Sequence, residues 1–315
     1  MSDSSSISSI ASNVRNTIAT NSVRTFNTMY SAASKNYSLY AGLLVVILLA
    51  VGTSYIIYML LGKLLFAKYK TVVEGTKIPV VGNKLSKFEA KLAEMSNGNR
   101  MSYSFWIYLN DMNKNKGKFK NVACVSDNKD TLEVFNCSPH IFIDKNNNSL
   151  YVRFAVKNDK SFTFLPNDND GLYRYMKSGI SIDYIPLQRW VHVAVVCNSD
   201  TFKTTLYAYV DGDLVKSVSN NDNFKLAVEP TNVNGVTASL SNINLNVTDY
   251  LYVGNDITDI ANGPGFSGLL STFTAYNYEL NQSDVYDIYK NGPITGLLAR
   301  MGLGLYGVRS PIYKL

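Results

Sequence analysis

Residues 189–217, RWVHVAVVCNSDTFKTTLYAYVDGDLVKS, contain two extended segments and a tight turn. Successive side chains of a strand point to opposite faces. One face then carries Val191, Val193, Val195 and Cys197, and the other carries Trp190, His192, Ala194 and Val196. Few of these side chains are polar, which predicts a strand covered on both sides. A second segment, Thr204–Val210, ends at Asp211-Gly212, a dipeptide typical of two-residue hairpin turns. The stretch predicts antiparallel β structure.

Similar short segments lie on both sides of this hairpin. The first, MSYSFWIYLND (101–111), alternates apolar and smaller residues, as a half-buried strand does. Many short strands separated by turn residues indicate a sandwich or barrel. The other predicted strands are NVACVSD (121–127), HIFIDK (140–145), SLYVRFAVK (149–157), SFTFL (161–165), ISIDYIP (180–186), NFKLAVE (223–229), DYLYVGND (249–256) and FSGLLSTFTAYNYEL (266–280).

The segment LNQSDVYDIYKNGP (280–293) breaks the β pattern. Asn281 followed three residues later by Asp284 is similar to a capping box at the start of a helix. Gly292 and Pro293 are typical of a helix end. We therefore predict one short helix that closes the domain.

The stretch 38–66, SLYAGLLVVILLAVGTSYIIYMLLGKLLF, contains no charged residue before Lys63. About 20 apolar residues cross the hydrocarbon core of a bilayer, so this stretch predicts a single transmembrane helix. A buried core helix and a cleaved signal peptide fit its length and position less well. The predicted membrane-anchor residues are Leu39, Leu43, Leu44, Ile47, Leu48, Ile56, Ile57, Leu60 and Leu61.

More positive charge follows this stretch than precedes it. Lys63 lies near its end and Lys68, Lys70 and Lys77 follow it, whereas only Arg24 and Lys35 precede it at similar range. The positive-inside rule therefore predicts that the carboxyl-terminal domain faces the cytosol. Five N-x-[ST] sequons carry little weight in a chain this rich in Asn, Ser and Thr.

The chain has three cysteines, an odd and small number for a disulfide framework. Cys197 lies among valines and is expected to act as a small apolar residue. Cys124 and Cys137 could pair, but we expect free thiols in a reducing compartment.

The net charge of +6 is spread along the chain, so we expect no nucleic-acid partner.

Three segments flank the predicted anchor and sandwich. Residues 1–37 fit either an amphipathic helix on a membrane or partner, or a disordered tail. Residues 67–98 form a connector, in which Leu85, Phe88 and Leu92 share a helical stripe and predict a short helix. Residues 293–315 are apolar and Gly-rich, which favours an arm that docks on its own domain or a neighbour. The arm's predicted contact residues are Leu297, Arg300, Leu305, Tyr306, Arg309 and Tyr313.

The order YSFWIYLND, IPLQRWVHVAVV, LYAYVDGDLVKS, LYVGND and the closing FSGLLSTFTAYNYELNQSDVYDIYKNGP resembles the laminin-G-like branch of the concanavalin A-like lectin/glucanase fold. The resemblance covers residues 99–292 and implies a mostly β, jelly-roll sandwich with a short closing helix, preceded by the transmembrane helix. The signature residues are Trp106, Trp190, Asp211, Gly212, Gly254, Gly268 and Gly292.

The combination of an amino-terminal membrane helix, SFWIYLND and the ending IYKNGP looks like membrane-anchored virion proteins, or minor capsid proteins, of large double-stranded DNA viruses. Members of that group lie between an internal membrane and a capsid. The resemblance implies a lipid bilayer and other capsid or membrane proteins as partners. It also implies a domain on the cytosolic, capsid-facing side.

The same fold hosts glycosidases, which need two close carboxylates. No E-x-D-x-E run occurs, so we expect no enzyme and no catalytic residue. Laminin-G-like domains often bind calcium, for which Asp256 and Asp259 are candidate ligands, although no cofactor is expected. We therefore predict a structural, interaction protein that tethers a membrane to a shell. A membrane-tethered lectin that binds glycans is the alternative.

Overall fold

The computed structural model describes residues 4–65, 68–92, 99–129, 137–157, 169–199, 203–226, 236–245, 247–254 and 265–294. The chain divides into two units, Met1–Ala67 and Lys68–Leu315. The first unit contains one helix, α1 (Ser4–Leu65). The second contains the β structure and two short helices.

Helix α1 is continuous over 62 residues and therefore about 90 Å long. Its amino-terminal half is rich in Ser and Thr, whose hydroxyls bond carbonyls one turn earlier, as Thr17 Oγ1 does to the Asn13 oxygen (2.7 Å) and Thr25 Oγ1 to the Asn21 oxygen (2.7 Å). Of the two alternatives for residues 1–37, the helical one is therefore observed from Ser4 onward.

The second unit is a sandwich of two antiparallel sheets, as predicted. Sheet A has the strand order β1-β13-β4-β9-β10-β11, with β2 also paired to β13. Its strands are β1 (Lys70–Val72), β2 (Val80–Val81), β4 (Asn99–Asp111), β9 (Trp190–Ser199), β10 (Thr204–Val210), β11 (Asp213–Ser219) and β13 (Ser267–Tyr276).

Sheet B has the order β3-β12-β5-β6-β7-β8. Its strands are β3 (Ser86–Glu89), β5 (Lys120–Ser126), β6 (His140–Ile143), β7 (Leu150–Arg153), β8 (Gly179–Ile182) and β12 (Tyr250–Val253). The helices of this unit are α2 (Asn169–Tyr175), α3 (Gln282–Asn291) and 3-10 turns at Glu74–Thr76 and Met176–Ser178.

The core lies between the two sheets and follows the alternation of the strands. Phe105 and Val193 from sheet A meet Val125, Ile141 and Val152 from sheet B, and all five are buried. Burial of such side chains contributes about 1.5–3 kcal/mol each to folding. The core therefore holds the two sheets face to face.

The opening hairpin and the closing helix form as predicted. Strands β10 and β11 pair across the turn, with Val210 opposite Asp213. Asn281 and Asp284 form a capping box at the start of α3, and Gly292 ends the helix. Both features are stabilised by residues close together in sequence, so a short sequence pattern is enough to predict them.

The predicted helix in the connector is wrong. Ser86–Glu89 form the edge strand β3. This strand pairs with β12, and Phe88 lies opposite Leu251. Phe88 is partly buried against the core while Lys87 and Glu89 are exposed, the period of a strand. Pairing with a sheet edge outweighed the weak helical stripe. In NFKLAVE, the described residues 223–226 make a single bridge at Asn223 rather than a strand. SFTFL lies outside the described residues.

Candidate functional site

The predicted anchor residues lie on α1, which is long and apolar enough to span a membrane. In this unit Leu43, Ile47 and Leu48 are 55%, 52% and 62% exposed, so the described residues leave the apolar stretch uncovered. Leu39, Leu44, Ile56 and Ile57 are similarly exposed, and Leu60 and Leu61 lie in the last turns of the helix. Exposed apolar surface of this extent marks a membrane or protein interaction site.

The outer face of sheet A carries a ring cluster beneath α3. The indole of Trp106 lies 5.1 Å from the ring of His192 and 5.8 Å from that of Tyr289, measured between centroids. Asp211 accepts a hydrogen bond from the His192 backbone N–H at 2.8 Å and pairs with Arg189 at 2.9 Å. Trp106 therefore contacts the closing helix through Tyr289, and Asp211 ties the hairpin turn to β9.

Ser104 and His192 form a buried pair on this face, with 3.0 Å between Ser104 Oγ and His192 Nε2. Nucleophilic catalysis requires a third group that orients the imidazole and a path for substrate. His192 Nδ1 has no partner among the described residues, and both side chains are almost fully buried. Burial lowers the pKa of His192 to about 3. The pair is built for packing.

The outer face of sheet B is covered over β6 and β7 by the chain's own aromatic side chains. Phe142 and Tyr151 point outward from β6 and β7 and pack against Tyr175 of α2, Met176 and Phe224. All five are at most 2% exposed. A sugar ring needs exposed aromatic faces beside polar groups, and the described residues over β6 and β7 offer none.

A buried polar cluster lies within this covered face. His140 Nδ1 is 3.0 Å from the Tyr175 hydroxyl, and the Arg153 guanidinium lies 4.2 Å from the centroid of the same ring. Burial, followed by the Arg153 charge, lowers the pKa of His140 to about 3. Burial raises the pKa of Tyr175 to about 12, although Arg153 opposes the change. His140 is therefore neutral beside the buried Arg153 guanidinium.

One lateral edge of the sandwich, where β8 approaches β11, contains a cavity of about 230 Å³. Lys216 Nζ crosses it, donating to Ser181 Oγ (2.8 Å) and pairing with Asp183 (3.2 Å). Tyr184 and Val215 line the same cavity and are 63% and 50% exposed. This edge combines an exposed aromatic ring with charged groups, a combination that suits contact with a partner.

The remaining signature residues have structural positions. Trp190 packs against Tyr108, with ring centroids 5.7 Å apart. Gly254 and Gly268 lie where the segment 68–92 crosses the other lateral edge, since Gly268 accepts a hydrogen bond from the Gly82 N–H. A Cβ at Gly254 would lie 2.3 Å from the Lys84 oxygen, so this close approach requires glycine.

The predicted calcium ligands Asp256 and Asp259 lie outside the described residues, as do all six predicted arm residues. Within the described residues, no cluster of three or more His, Cys, Asp or Glu side chains could hold a metal. Calcium binding and the arm's role stay predictions.

The expectation of three free thiols is wrong. Cys124 of β5 and Cys137, just before β6, form a disulfide, and only Cys197 among the described cysteines is free. The β5–β6 pairing explains this, because the Ser138 N–H bonds the Val125 oxygen (2.9 Å) and brings the two cysteines together.

Sequence reasoning also missed α2 and its aromatic cover, for which the run GLYRYM (171–176) after Asn and Asp was the available signal.

Comparison with known proteins gives a family and distant structural likenesses. Residues 86–286 match the Laminin_G_3 model, described as the concanavalin A-like lectin/glucanases superfamily. No curated protein matches the chain. The botulinum neurotoxin serotype D binding domain aligns at 12% identity with a TM-score of 0.38, covering 71% of this chain and 42% of that one.

Two further toxin structures align similarly. The serotype D/C VPI 5993 binding domain shows 15% identity and a TM-score of 0.39, covering 71% of this chain and 43% of that one. The binding domain of neurotoxin DC in complex with rat synaptotagmin II shows 14% identity and a TM-score of 0.38, covering 71% and 46%. The alignment spans less than half the length of these solved chains. At these TM-scores, what the toxins bind is not transferred to this protein. The Laminin_G_3 match spans more than half of the 315 residues, and the chain therefore belongs to this family of the concanavalin A-like lectin/glucanases superfamily.

Proposed function

We propose that this protein is a non-enzymatic structural protein, anchored in a membrane by α1, whose sandwich and terminal arms bind neighbouring proteins. In the full form of the proposal, the membrane is the internal membrane of a virion and the neighbours are proteins of the capsid shell. The fold family supports an interaction domain. The virion assignment is supported by the sequence resemblance alone.

The observation that carries this proposal is the aromatic cover over β6 and β7 on the outer face of sheet B. Phe142, Tyr151 and Phe224 fill the surface on which a ligand could otherwise lie. The Ser–His pair formed by Ser104 and His192 is buried under α3. Contacts with neighbouring proteins would therefore be made by the lateral edges, the turns and the terminal segments, as in a structural protein of an assembly.

The proposed mechanism is mechanical. The exposed apolar stretch of α1 holds the bilayer, and the sandwich acts as a rigid spacer because one continuous core joins its two sheets. The arm 293–315 engages a neighbour through its apolar and cationic residues. Several weak contacts on one anchored chain act together, so modest individual affinities suffice.

The test is deletion of residues 294–315 from the full chain in the particle that contains it. We expect incorporation into the particle to fall while thermal unfolding of the sandwich stays unchanged. A matched variant keeps the arm's length but replaces Leu297, Leu305, Tyr306 and Tyr313 by Ser. Unchanged incorporation of both variants would contradict the role of the arm.

The disulfide favours the alternative, a membrane-tethered lectin on the luminal or external side. Disulfides such as Cys124–Cys137 persist in oxidising compartments, which weakens the argument for a cytosolic domain. Exposed Tyr184, beside Asp183 and Lys216, is the ring that a sugar could stack on.

Protease protection in intact membranes distinguishes the two functions. Digestion of the sandwich from the cytosolic side, with no sugar on Asn147, supports the capsid-facing tether. Protection together with glycosylation supports the lectin, and Tyr184→Ala should then abolish binding to a glycan array. A protected domain whose array binding survives Tyr184→Ala would exclude this stacking site.

A further inference from the structure

The segment Lys68–Leu92 closes one lateral edge of the sandwich. It pairs with β13 through β1 and β2, and with β12 through β3, so it crosses from sheet A to sheet B. The Gly82 N–H bonds the Gly268 oxygen at 2.9 Å, and the backbone of Lys84 packs against Gly254. The segment is therefore fixed on the domain as a defined surface.

This edge is basic and apolar at the same time. The segment contains six lysines and two glutamates, and the chain as a whole has a net charge of +6. Three lysines are each followed by an exposed large side chain: Tyr69 (56% exposed) after Lys68, Ile78 (69%) after Lys77, and Leu85 (44%) after Lys84. Val81 is also exposed, at 46%. Four large apolar side chains are thus exposed along one segment of 25 residues, and exposed apolar surface of this kind marks an interaction site when it recurs on one edge.

The lysines keep their charge toward solvent. Lys68 and Lys70 lie over the rings of Tyr278 and Tyr276, with Nζ 5.1 Å and 5.8 Å from the centroids. Lys77 pairs with Glu74 at 2.6 Å, although the Glu74 side chain is itself 81% exposed. Exposed ion pairs are weak, so this one leaves the edge positively charged in its net effect.

We infer that this edge lies on the surface of an anionic bilayer, the one in which α1 is anchored. The inference rests on the proposed membrane anchoring. Lys68 follows the end of the apolar stretch 38–66 by two residues, about 7 Å of extended chain. A bilayer that holds this stretch is therefore within reach of the edge.

The chemistry of the edge suits an anionic lipid surface. Lysine ammonium groups are attracted to acidic headgroups, and Tyr, Ile and Leu side chains insert at the boundary between headgroups and acyl chains. Each contact is weak by itself. The covalent tether raises the effective concentration of the edge at the bilayer, so the weak contacts hold the sandwich in one orientation.

A tryptophan reporter tests this contact in the full chain. The two native tryptophans, Trp106 and Trp190, are 1% and 5% exposed and give a low background. Ile78→Trp places an indole on the edge, and Leu214→Trp places one on the opposite lateral edge, where Leu214 is 48% exposed. Each variant is reconstituted in vesicles of brominated phosphatidylcholine with phosphatidylserine. We expect bromine to quench the indole of Ile78→Trp and to leave that of Leu214→Trp near the native background.

Charge variants test the role of the lysines. Adding Lys77→Glu and Lys84→Glu to Ile78→Trp should reduce the contact equilibrium by at least about 30-fold, because two attractive charges are lost and two repulsive ones are added, and raised salt should also weaken the contact of the parent edge. The matched control, Lys203→Glu with Lys225→Glu, changes two exposed lysines outside this segment and should have no effect. Equal loss in both pairs would show a non-specific charge effect and overturn the inference.

A third reporter separates this inference from the proposed anchoring. Leu48→Trp lies in the apolar stretch of α1 and should be quenched in every brominated bilayer. If it is quenched while Ile78→Trp and Leu214→Trp behave alike, anchoring holds and the edge contact is wrong. If Leu48→Trp is not quenched, anchoring fails and the inference fails with it.

Discussion

The ring of Tyr289 stacks on the indole of Trp106, with planes inclined by 23°. Trp106 belongs to β4 at the centre of sheet A, while Tyr289 belongs to the last turn of α3. The contact therefore ties the closing helix to the part of the domain with most strand neighbours. Together with the capping box at Asn281, it fixes both ends of the helix.

Tyr289→Ala should lower the free energy of unfolding by about 2 kcal/mol, because it removes buried ring area and the aromatic pair. The measurement is denaturant unfolding of the full chain in vesicles, followed by tryptophan fluorescence. Tyr184→Ala, at a 63% exposed position, is the control and should change stability by less than about 0.5 kcal/mol. Equal effects of the two variants would show that α3 does not depend on this ring.

The two histidines should make the sandwich unstable in mild acid. His140 and His192 each have a pKa of about 3 when folded, against an ordinary value of 6.5, because burial disfavours the imidazolium. The unfolded chain therefore takes up protons below pH 6.5 that the folded chain refuses, so stability falls as pH falls from 6.5 toward 3. At pH 5 each histidine should cost about 2 kcal/mol.

Denaturant midpoints at pH 7 and pH 5 check this prediction. In His140→Gln and His192→Gln the loss between the two pH values should shrink by about half, because one titrating group has been removed. A pH-dependent loss that is the same in both variants and in the parent chain would assign the acid sensitivity to other groups.

Local patterns predicted the elements that depend on neighbouring residues. The Asp211-Gly212 turn and the Asn281–Asp284 capping box are stabilised within a few residues, so both were predicted correctly. β3 was not, because its partner Leu251 lies far away in sequence and pairing overrode the helical stripe. The Cys124–Cys137 bridge likewise depends on the β5–β6 register, which cysteine counting does not contain.

The candidate site was less predictable than the fold. The sequence predicted strands at β6 and β7, but it did not show that α2 and Phe224 cover their outer face. The apolar stretch of α1 was predictable because membrane spanning depends on composition over about 20 residues. The basic, apolar edge at Lys68–Leu92 required the fold, since three strands bring its residues together.

Gly268→Ala should destabilise the sandwich strongly. A Cβ at this position would lie 2.0 Å from the backbone oxygen of Tyr108 on the adjacent strand, where the backbone has no flexible end to move aside. We expect a loss of about 3 kcal/mol or more in the free energy of unfolding, as for overpacked sites. Ser267→Ala, one residue earlier on β13, is the control and should stay within about 0.5 kcal/mol of the parent. Similar stability of the two variants would contradict the close approach.

Thiol counting in denaturant checks the disulfide and the state of Cys197. With Cys124 and Cys137 paired, the unfolded chain should expose one thiol without reductant and three with it. In the native state labelling should be slow, because burial raises the pKa of the Cys197 thiol to about 12 and little thiolate forms.

Replacing Cys124 and Cys137 by Ala should cost about 3 kcal/mol, because the bridge closes a short loop and restricts the unfolded chain. Reductant should destabilise the parent by the same amount and leave the double variant unchanged. Cys197→Ala is the matched control, since it removes a cysteine but should keep the full sensitivity to reductant.

The number of thiols in chain isolated from its native membrane under thiol-blocking conditions indicates the compartment that the domain faces. One thiol per chain supports an oxidising side and the lectin, whereas three support the cytosolic side and the tether, because free thiols persist there.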